Sequence, residues 1–223
     1  MSSAQKSLLS LYFIRHGQTE WSLSGRHTGR TDISLTAHDE DEARGLMPWL
    51  ARIRFSRVLT SPRQRARRTC ELAGLGQRPE IEPDLAEWDY GDYEGKLSSH
   101  IRMGRPDWNA FRDGCPNGEM PAQVSARADR LIGHLCTMDG NVALFSHGEF
   151  GLVLVARWIG MPVIEGQHFL LGTASLSILR YNPAHPEARA IALWNATPAL
   201  LLPGDGMTGR HSQALGSRRS LSD

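Results

Sequence analysis

Several kinds of chemistry are set aside by what this sequence has little of. Cysteine is scarce: Cys70, Cys115 and Cys136 are odd in number and lack metal-ligand spacing. That excludes a disulfide framework or zinc site as the organising feature, and reduced thiols in a cytoplasmic setting are expected. Excess charge of either sign is also missing. A balance of 25 basic and 24 acidic side chains leaves +1 at pH 7, which draws the chain neither to nucleic acid nor to a membrane surface, so any electropositive feature must be local. No apolar run approaches the roughly 20 residues that span a bilayer. Met1 to Leu9 carries one lysine and too short an apolar stretch for a signal peptide. There is no Walker phosphate loop, no Gly-x-Gly-x-x-Gly after a strand, no His-Glu-x-x-His and no Gly-x-Ser-x-Gly elbow. Neither a metal nor an organic cofactor is expected. The oligomeric state is left open, a homodimer included.

What is present is an alternation of strand and helix patterns. Leu8 to Ile14 is a nearly continuous apolar run suited to a strand buried on both faces of a parallel sheet, Arg57 to Thr60 reads as a second short strand, and Asn141 to Phe145 as a third, buried one. Thr36 can cap a helix whose apolar positions Ala43, Leu46, Met47 and Leu50 follow at helical spacing. Ser61-Pro62 reads as a second helix start, with Gly74 as its C′ residue. From Pro79 to Gly118 the chain is an excursion over the sheet, with short helical stretches at 98–103 and 107–111. Pro121 to Cys136 is an amphipathic helix with Val124, Ala128, Leu131, Ile132 and Leu135 on one face. Glu149 to Ile159 is apolar nearly all round, hence internal. Two more strands, 176–179 and 188–194, flank the turn-forming Asn182-Pro183 and His185-Pro186. The pattern gives one α/β domain over residues 1–202, with the Gly-, Ser- and Arg-rich residues 203–223 as a flexible tail.

The informative feature is positional. The first strand runs out into Arg15-His16-Gly17, the second into Ser61-Pro62-Arg63 and the third into Ser146-His147-Gly148. Ligands of open parallel sheets sit beyond the carboxyl ends of the strands, so these motifs converge on the usual crevice. Arg63 at a helix start, followed by Arg65, Arg67 and Arg68, opposes the helix dipole by about 0.3–1 kcal/mol per cation. An anion beside Arg63 would offset that repulsion, whereas Arg65 and Arg68 read as a solvated basic face. Free N–H groups of the helix opening at Gly148 would face the same crevice. Together these describe a dianion site of the kind arginine grips in bidentate fashion.

Histidine is a covalent nucleophile when neutral, and flanking guanidinium groups keep it so. A bond from Nδ1–H to a carbonyl in a tight His-Gly turn would aim Nε2 outward. His16 and His147 both qualify. The other seven histidines, His27 among them, read as satisfied core or surface residues. A proton donor for the leaving oxygen is available in the loop 85–95, where burial among aromatics would raise a carboxyl pKa. The residues alone do not choose among Glu87, Asp89, Asp92 and Glu94.

As an ordered set these residues resemble the histidine phosphatase superfamily, the phosphoglycerate-mutase-like family. The set is Arg15-His16-Gly17-Gln18-Thr19-Glu20-Trp21, Thr28-Gly29, Leu35-Thr36, Ser61-Pro62-Arg63, Glu87 with Tyr90-Gly91 and Glu94-Gly95, and Ser146-His147-Gly148, covering about Leu11 to Trp194. The resemblance implies a three-layer α/β/α sandwich with a mostly parallel sheet. It implies that His16 accepts the phosphoryl group, that Glu87 is the acid and later the base for water, and that Arg15, Arg63 and His147 clamp the phosphoryl oxygens. Gln18, Ser22, Thr28, Gly29, Tyr90 and Gly148 would line the substrate side. Ser22 stands where many members have Asn, which leaves one hydroxyl in place of an amide. The stretch from Glu87 to His147 is short beside that of cofactor-dependent mutases and lacks their Trp-Arg-Arg-Ser. The runs Glu87 to Gly95 and Arg112-Asp113-Gly114-Cys115 are similar instead to fungal sugar-bisphosphate phosphatases and mycobacterial acid phosphatases. A metal-independent phosphatase of small phosphomonoesters is therefore expected ahead of a mutase. A catalytically silent phosphate binder is disfavoured because His16 and Glu87 are both present.

Overall fold

The alternation along β1 (Ser10–Arg15) decides the architecture: Leu11 and Phe13 point to one face, Ile14 to the other, and all three are buried. A strand apolar on both sides needs cover on both sides. A computed structural model describes residues 8–198. Along the chain β1 is followed by α1 (Glu20–Leu23), α2 (Ala37–Gly45), α3 (Met47–Leu50), β2 (Phe55–Thr60), α4 (Gln64–Cys70) and β3 (Glu80–Ile81). Then come α5 (Ser98–Gly104), α6 (Ala110–Asp113), α7 (Pro121–Leu135), β4 (Asn141–Ser146), α8 (Gly148–Trp158), β5 (Leu176–Asn182) and β6 (His185–Ala196).

The sheet order is β3-β2-β4-β1-β5-β6. β1, β2 and β3 join β4 in a parallel half, while β5 and β6 add an antiparallel edge. One core packs Leu11, Phe13, Val142 and Leu144 against Val124, Leu131 and Leu135 of α7 and Leu154 and Trp158 of α8. The other packs Ile14, Ala143 and Phe145 against Leu46, Leu50, Ala66 and Cys70 from α2–α4. This is the expected α/β/α sandwich with a mostly parallel sheet.

The five apolar positions expected on α7 are all buried, and Thr36 caps α2 by accepting from the Asp39 amide. Three local expectations are corrected. The helix begun at Thr36 breaks at Gly45, and Met47 is exposed as a result. Pro186 lies within β6, tolerated because β6 is an edge strand. The short edge strand β3, hidden in the excursion, pairs with Leu59 and Thr60. No helix among the described residues is long and apolar enough to cross a membrane. The expected tail, 203–223, and the boundary before it lie outside the described residues.

Candidate active site

Because β1, β2 and β4 are parallel, their carboxyl ends reach the same edge of the sheet. Arg15 is in register with Ser146 and Thr60 with Phe145. The ladder continues past the strands, with the His16 amide donating to Ser146 O at 3.0 Å and the Ser61 amide to Phe145 O at 2.9 Å. α4 fixes the following turn, since the Gly17 amide donates to Thr69 Oγ1 at 3.1 Å. His16 and His147 are thereby set edge to face, with ring centroids 5.1 Å apart.

The hydrogen bonds separate the two imidazoles. His16 Nδ1 lies 2.5 Å from Gly17 O. A carbonyl only accepts, so Nδ1 carries the proton and Nε2 presents its lone pair. His16 Nε2 has no hydrogen-bond partner among the described residues, and the ring lines a cleft of about 190 Å³. In His147, Nδ1 accepts from Arg65 Nε at 3.2 Å, so Nε2–H donates to Ser61 Oγ at 2.7 Å. Both of its nitrogens are engaged, and the ring is wholly buried behind the cleft. Burial first, then the Arg65 and Arg15 guanidinium groups, holds the His16 pKa well below its usual value. Burial and Arg65 do the same for His147. Both rings are neutral at pH 7, and only His16 offers a free nitrogen to the cleft.

Arg65 corrects the reading of its helix. It is fully buried, where a solvated face was expected. Besides His147 Nδ1 it donates to the carbonyls of Thr28, Gly29 and Thr31 at 2.9–3.1 Å. Arg65, Ala66, Thr69 and Cys70 form the buried stripe of α4. The spacing i, i+1, i+4, i+5 was available in the sequence and places Arg65 inward with its neighbours. Arg68 is exposed, as expected, paired with Glu40 and Glu71. Arg63 is the N-cap residue of α4 rather than part of its first turn. The Gln64 amide beside it is capped by Asp32 Oδ1 at 2.8 Å, so a protein carboxylate already offsets part of the repulsion that had suggested an anionic ligand.

The opening of α8 is likewise satisfied from within. The Glu149 and Phe150 amides donate to the Glu87 carboxylate at 3.2 and 2.8 Å, and the Trp88 amide adds a third bond at 2.8 Å. Two of the N–H groups expected to face the crevice therefore hold Glu87 instead. Gly148 serves a different purpose. A side chain there would meet the Arg15 guanidinium at 3.2–3.3 Å, so glycine lets that cation lie flat on the helix start.

Geometry also separates the four candidate carboxylates. Glu94 accepts from the Gly29 and Thr31 amides and pins the loop that Arg65 holds from the other side. Asp89 pairs with Arg30, and Asp92 accepts from Asn117. Glu87 is buried and lines the cleft with His16. Its loop is fastened by Arg127, whose guanidinium donates to the Asp84, Ala86 and Glu87 carbonyls and to Glu119. Burial, and then the neighbouring Glu149 carboxylate, raises the Glu87 pKa to about 7, against the opposing pull of the Trp88 and Phe150 amides. A carboxyl poised there exchanges a proton in both directions at neutral pH.

Of the residues expected on the substrate side, Ser22, Thr28 and Tyr90 line the cleft. The Ser22 hydroxyl, however, donates to Thr19 O and accepts from the Thr19 amide in the cap of α1, so it is not available as a phosphate donor. Gly29 and Gly148 are backing positions, and Gln18, whose carbonyl accepts from the Thr36 amide, lies outside the lining. Sequence reasoning missed His27, which stacks on Tyr90 at 4.5 Å and lines the cleft, and Glu149, which shares it. The buried side-chain nitrogens and oxygens without a hydrogen-bond partner among the described residues are Arg15 Nε and Arg63 Nε. Orphaned guanidinium nitrogens are costly unless an anion meets them. No group of three or more His, Cys, Asp or Glu side chains among the described residues is placed to hold a metal ion.

The chain as a whole has relatives among known proteins. Residues 11–196 match the family model described as the histidine phosphatase superfamily (branch 1). An acid phosphatase of Mycobacterium tuberculosis is 41% identical over 178 residues, covering 77% of this chain and 86% of that protein. A sedoheptulose 1,7-bisphosphatase of Saccharomyces cerevisiae is 35% identical, covering 67% of each. A solved structure of a Mycobacterium tuberculosis open reading frame superposes with a TM-score of 0.79 at 37% identity, covering 85% of this chain and 98% of that one.

Proposed function

Because this chain belongs to the histidine phosphatase superfamily and is more similar to a named acid phosphatase and a sugar bisphosphatase, at 41% and 35% identity, than to the probable phosphoglycerate mutases it also matches, at 26–30%, we propose that it hydrolyses small phosphomonoesters, sugar phosphates or phosphorylated acids, through a phosphohistidine at His16. The observation that carries the reading is the pairing, in one cleft, of an unengaged His16 Nε2 with Arg15, whose Nε is buried without a partner. Arg63 Nε is orphaned likewise, although Arg63 stands outside the residues that line the cleft. A nucleophile and an unsatisfied cation side by side suit a phosphoryl group, whose transition state spreads negative charge over its equatorial oxygens.

His16 Nε2 attacks phosphorus, the phosphorus–oxygen ester bond breaks, and the leaving oxygen takes the proton of Glu87. The Gly17 carbonyl at Nδ1–H stabilises the positive charge that the ring acquires. The Glu87 carboxylate then takes a proton from water as that water attacks phosphorus, the nitrogen–phosphorus bond breaks, and neutral His16 and protonated Glu87 are restored. Arg15 and Arg63 hold the phosphoryl oxygens. Arg65 supplies fixed positive charge behind both histidines. His147 keeps the Ser61 hydroxyl and the His16 ring in place, and Thr28 and Tyr90 meet the leaving group. No metal ion takes part.

A panel of sugar phosphates, phosphorylated acids and 4-nitrophenyl phosphate, scored for free phosphate, tests the reading, with net release expected. The same enzyme given 3-phosphoglycerate with a trace of 2,3-bisphosphoglycerate should form the 2-isomer slowly at most. Rapid isomerisation with little free phosphate would overturn hydrolysis in favour of a mutase.

A further inference from the structure

Two groups of side chains line the cleft: Arg15 stands with His16, and Glu149 stands with Tyr90, on which His27 stacks while bonding Ser98. We infer that the Glu149 carboxylate is a specificity-determining group, turning away substrates that carry a second anionic group close to the phosphoester and admitting neutral, hydroxylated ones. The inference rests on the phosphatase reading and narrows its substrate class to polyol and sugar monophosphates.

The charged and titratable groups facing Glu149 can be taken in turn. Glu87 is the other carboxylate, buried and hydrogen-bonded to the Glu149 amide itself. Tyr90 is buried, and burial, then Glu149 and Glu87, pushes its phenol well above its usual pKa, so it stays a neutral donor. His27 bonds Ser98 Oγ at 3.0 Å, and burial lowers its pKa, so at pH 7 it too is neutral. Arg26 and Arg102 are the cations near this group, but both are exposed, where water and salt screen them. Arg15 stands with His16, bonded to the Leu171 carbonyl and seated on Gly148. Beyond the phosphoryl position, the half-buried charge is therefore negative.

A small leaving group held in a cleft of about 190 Å³ lies among the lining residues that include Glu149. A carboxylate or second phosphate would meet Glu149 in a partly desolvated space, where like charges repel far more strongly than in water. A hydroxyl in the same place finds an acceptor in Glu149 and partners in Tyr90, Ser98 and His27. The sequence offers no hint of this selection, because Glu149 reads as an ordinary acidic residue in a helix first turn.

The test uses two substrates with the same three-carbon skeleton, glycerol 3-phosphate and 3-phosphoglycerate, which differ by a hydroxymethyl against a carboxylate. The wild-type enzyme should favour glycerol 3-phosphate in kcat/KM by about tenfold or more. Glu149→Gln should shrink that ratio towards one, chiefly by lowering KM for the acid, and Glu149→Asp should keep it. Any effect of the substitution on Glu87 falls on both substrates and cancels in the ratio. 4-Nitrophenyl phosphate serves as the common control. If it is hydrolysed but the ratio is near one, or is unmoved by Glu149→Gln, the inference is overturned and the phosphatase reading stands. If no substrate, the control included, releases phosphate, both are overturned.

Discussion

α4 and α8 begin in the same way and end up doing different work. Each opens just beyond the carboxyl end of a parallel strand, and each has its first amides capped by a carboxylate from a distant loop: Asp32 at α4, Glu87 at α8. Asp32 is exposed, and its charge is solvated, so it remains a cap. Glu87 is buried beside Glu149, and those two causes lift its pKa to about 7 despite three backbone donors. Burial and a second carboxylate thus turn an anion that would otherwise only stabilise a helix into an acid ready to give up its proton. The same comparison bears on the anion site: protein carboxylates already take the Gln64, Glu149 and Phe150 amides, so the proposed grip on phosphate rests chiefly on the guanidinium groups.

Removing the acid should separate the two caps most sharply. Glu87→Gln is expected to lower kcat on an alkyl phosphate by about 10²–10⁴-fold while largely sparing an aryl phosphate whose leaving group needs little protonation. Equal loss on both would confine Glu87 to water activation. Sign follows from the raised pKa: the protonated form that the acid step needs is lost as pH rises through about 7. For alkyl substrates kcat should therefore fall above that pH, and a profile flat to pH 9 would contradict the assignment. On α4, Arg65→Lys keeps a charge but cannot reach His147 and three carbonyls at once. It should lower kcat/KM by about 10²–10³-fold, against a smaller loss for Arg63→Lys, and the opposite ranking would restore Arg63 as the principal cation. Asp32→Asn should do least, costing at most about 0.5–2 kcal/mol in thermal or denaturant unfolding with kcat unchanged.

How much of this was legible in the sequence depended on whether a residue's role is set by its own element. The three strand ends were legible because an apolar run followed by Arg-His-Gly or Ser-His-Gly places the motif by itself, and the His16 tautomer followed from its neighbour Gly17. The buried face of α7 was legible from periodicity alone. Arg65 was obscured by the basic residues around it. Its inward direction shows in the spacing of Ala66, Thr69 and Cys70, but its partners lie 34 to 82 residues away. The chemistry of the loop could not choose Glu87 over Asp89, Asp92 and Glu94 for the same reason, and only the family resemblance singled it out. Each of the other three is engaged by a residue the local sequence does not name: Arg30, Asn117, or the amides of Gly29 and Thr31. On residue chemistry alone His147 was His16's equal; the resemblance set them apart, and the long-range bonds with Arg65 and Ser61 show both of its nitrogens engaged.

The inequality of the two histidines is the claim on which the mechanism stands, and trapping the phosphoenzyme tests it most directly. The enzyme is mixed with a labelled aryl phosphate, quenched within milliseconds without acid, digested, and the modified peptide mapped by mass spectrometry. The account predicts an acid-labile, base-stable phosphate on His16. It also predicts that label and turnover are both lost in a folded His16→Ala variant, while His147→Ala still takes up label, at a reduced rate. Label on His147, on a serine or on an aspartate would contradict it.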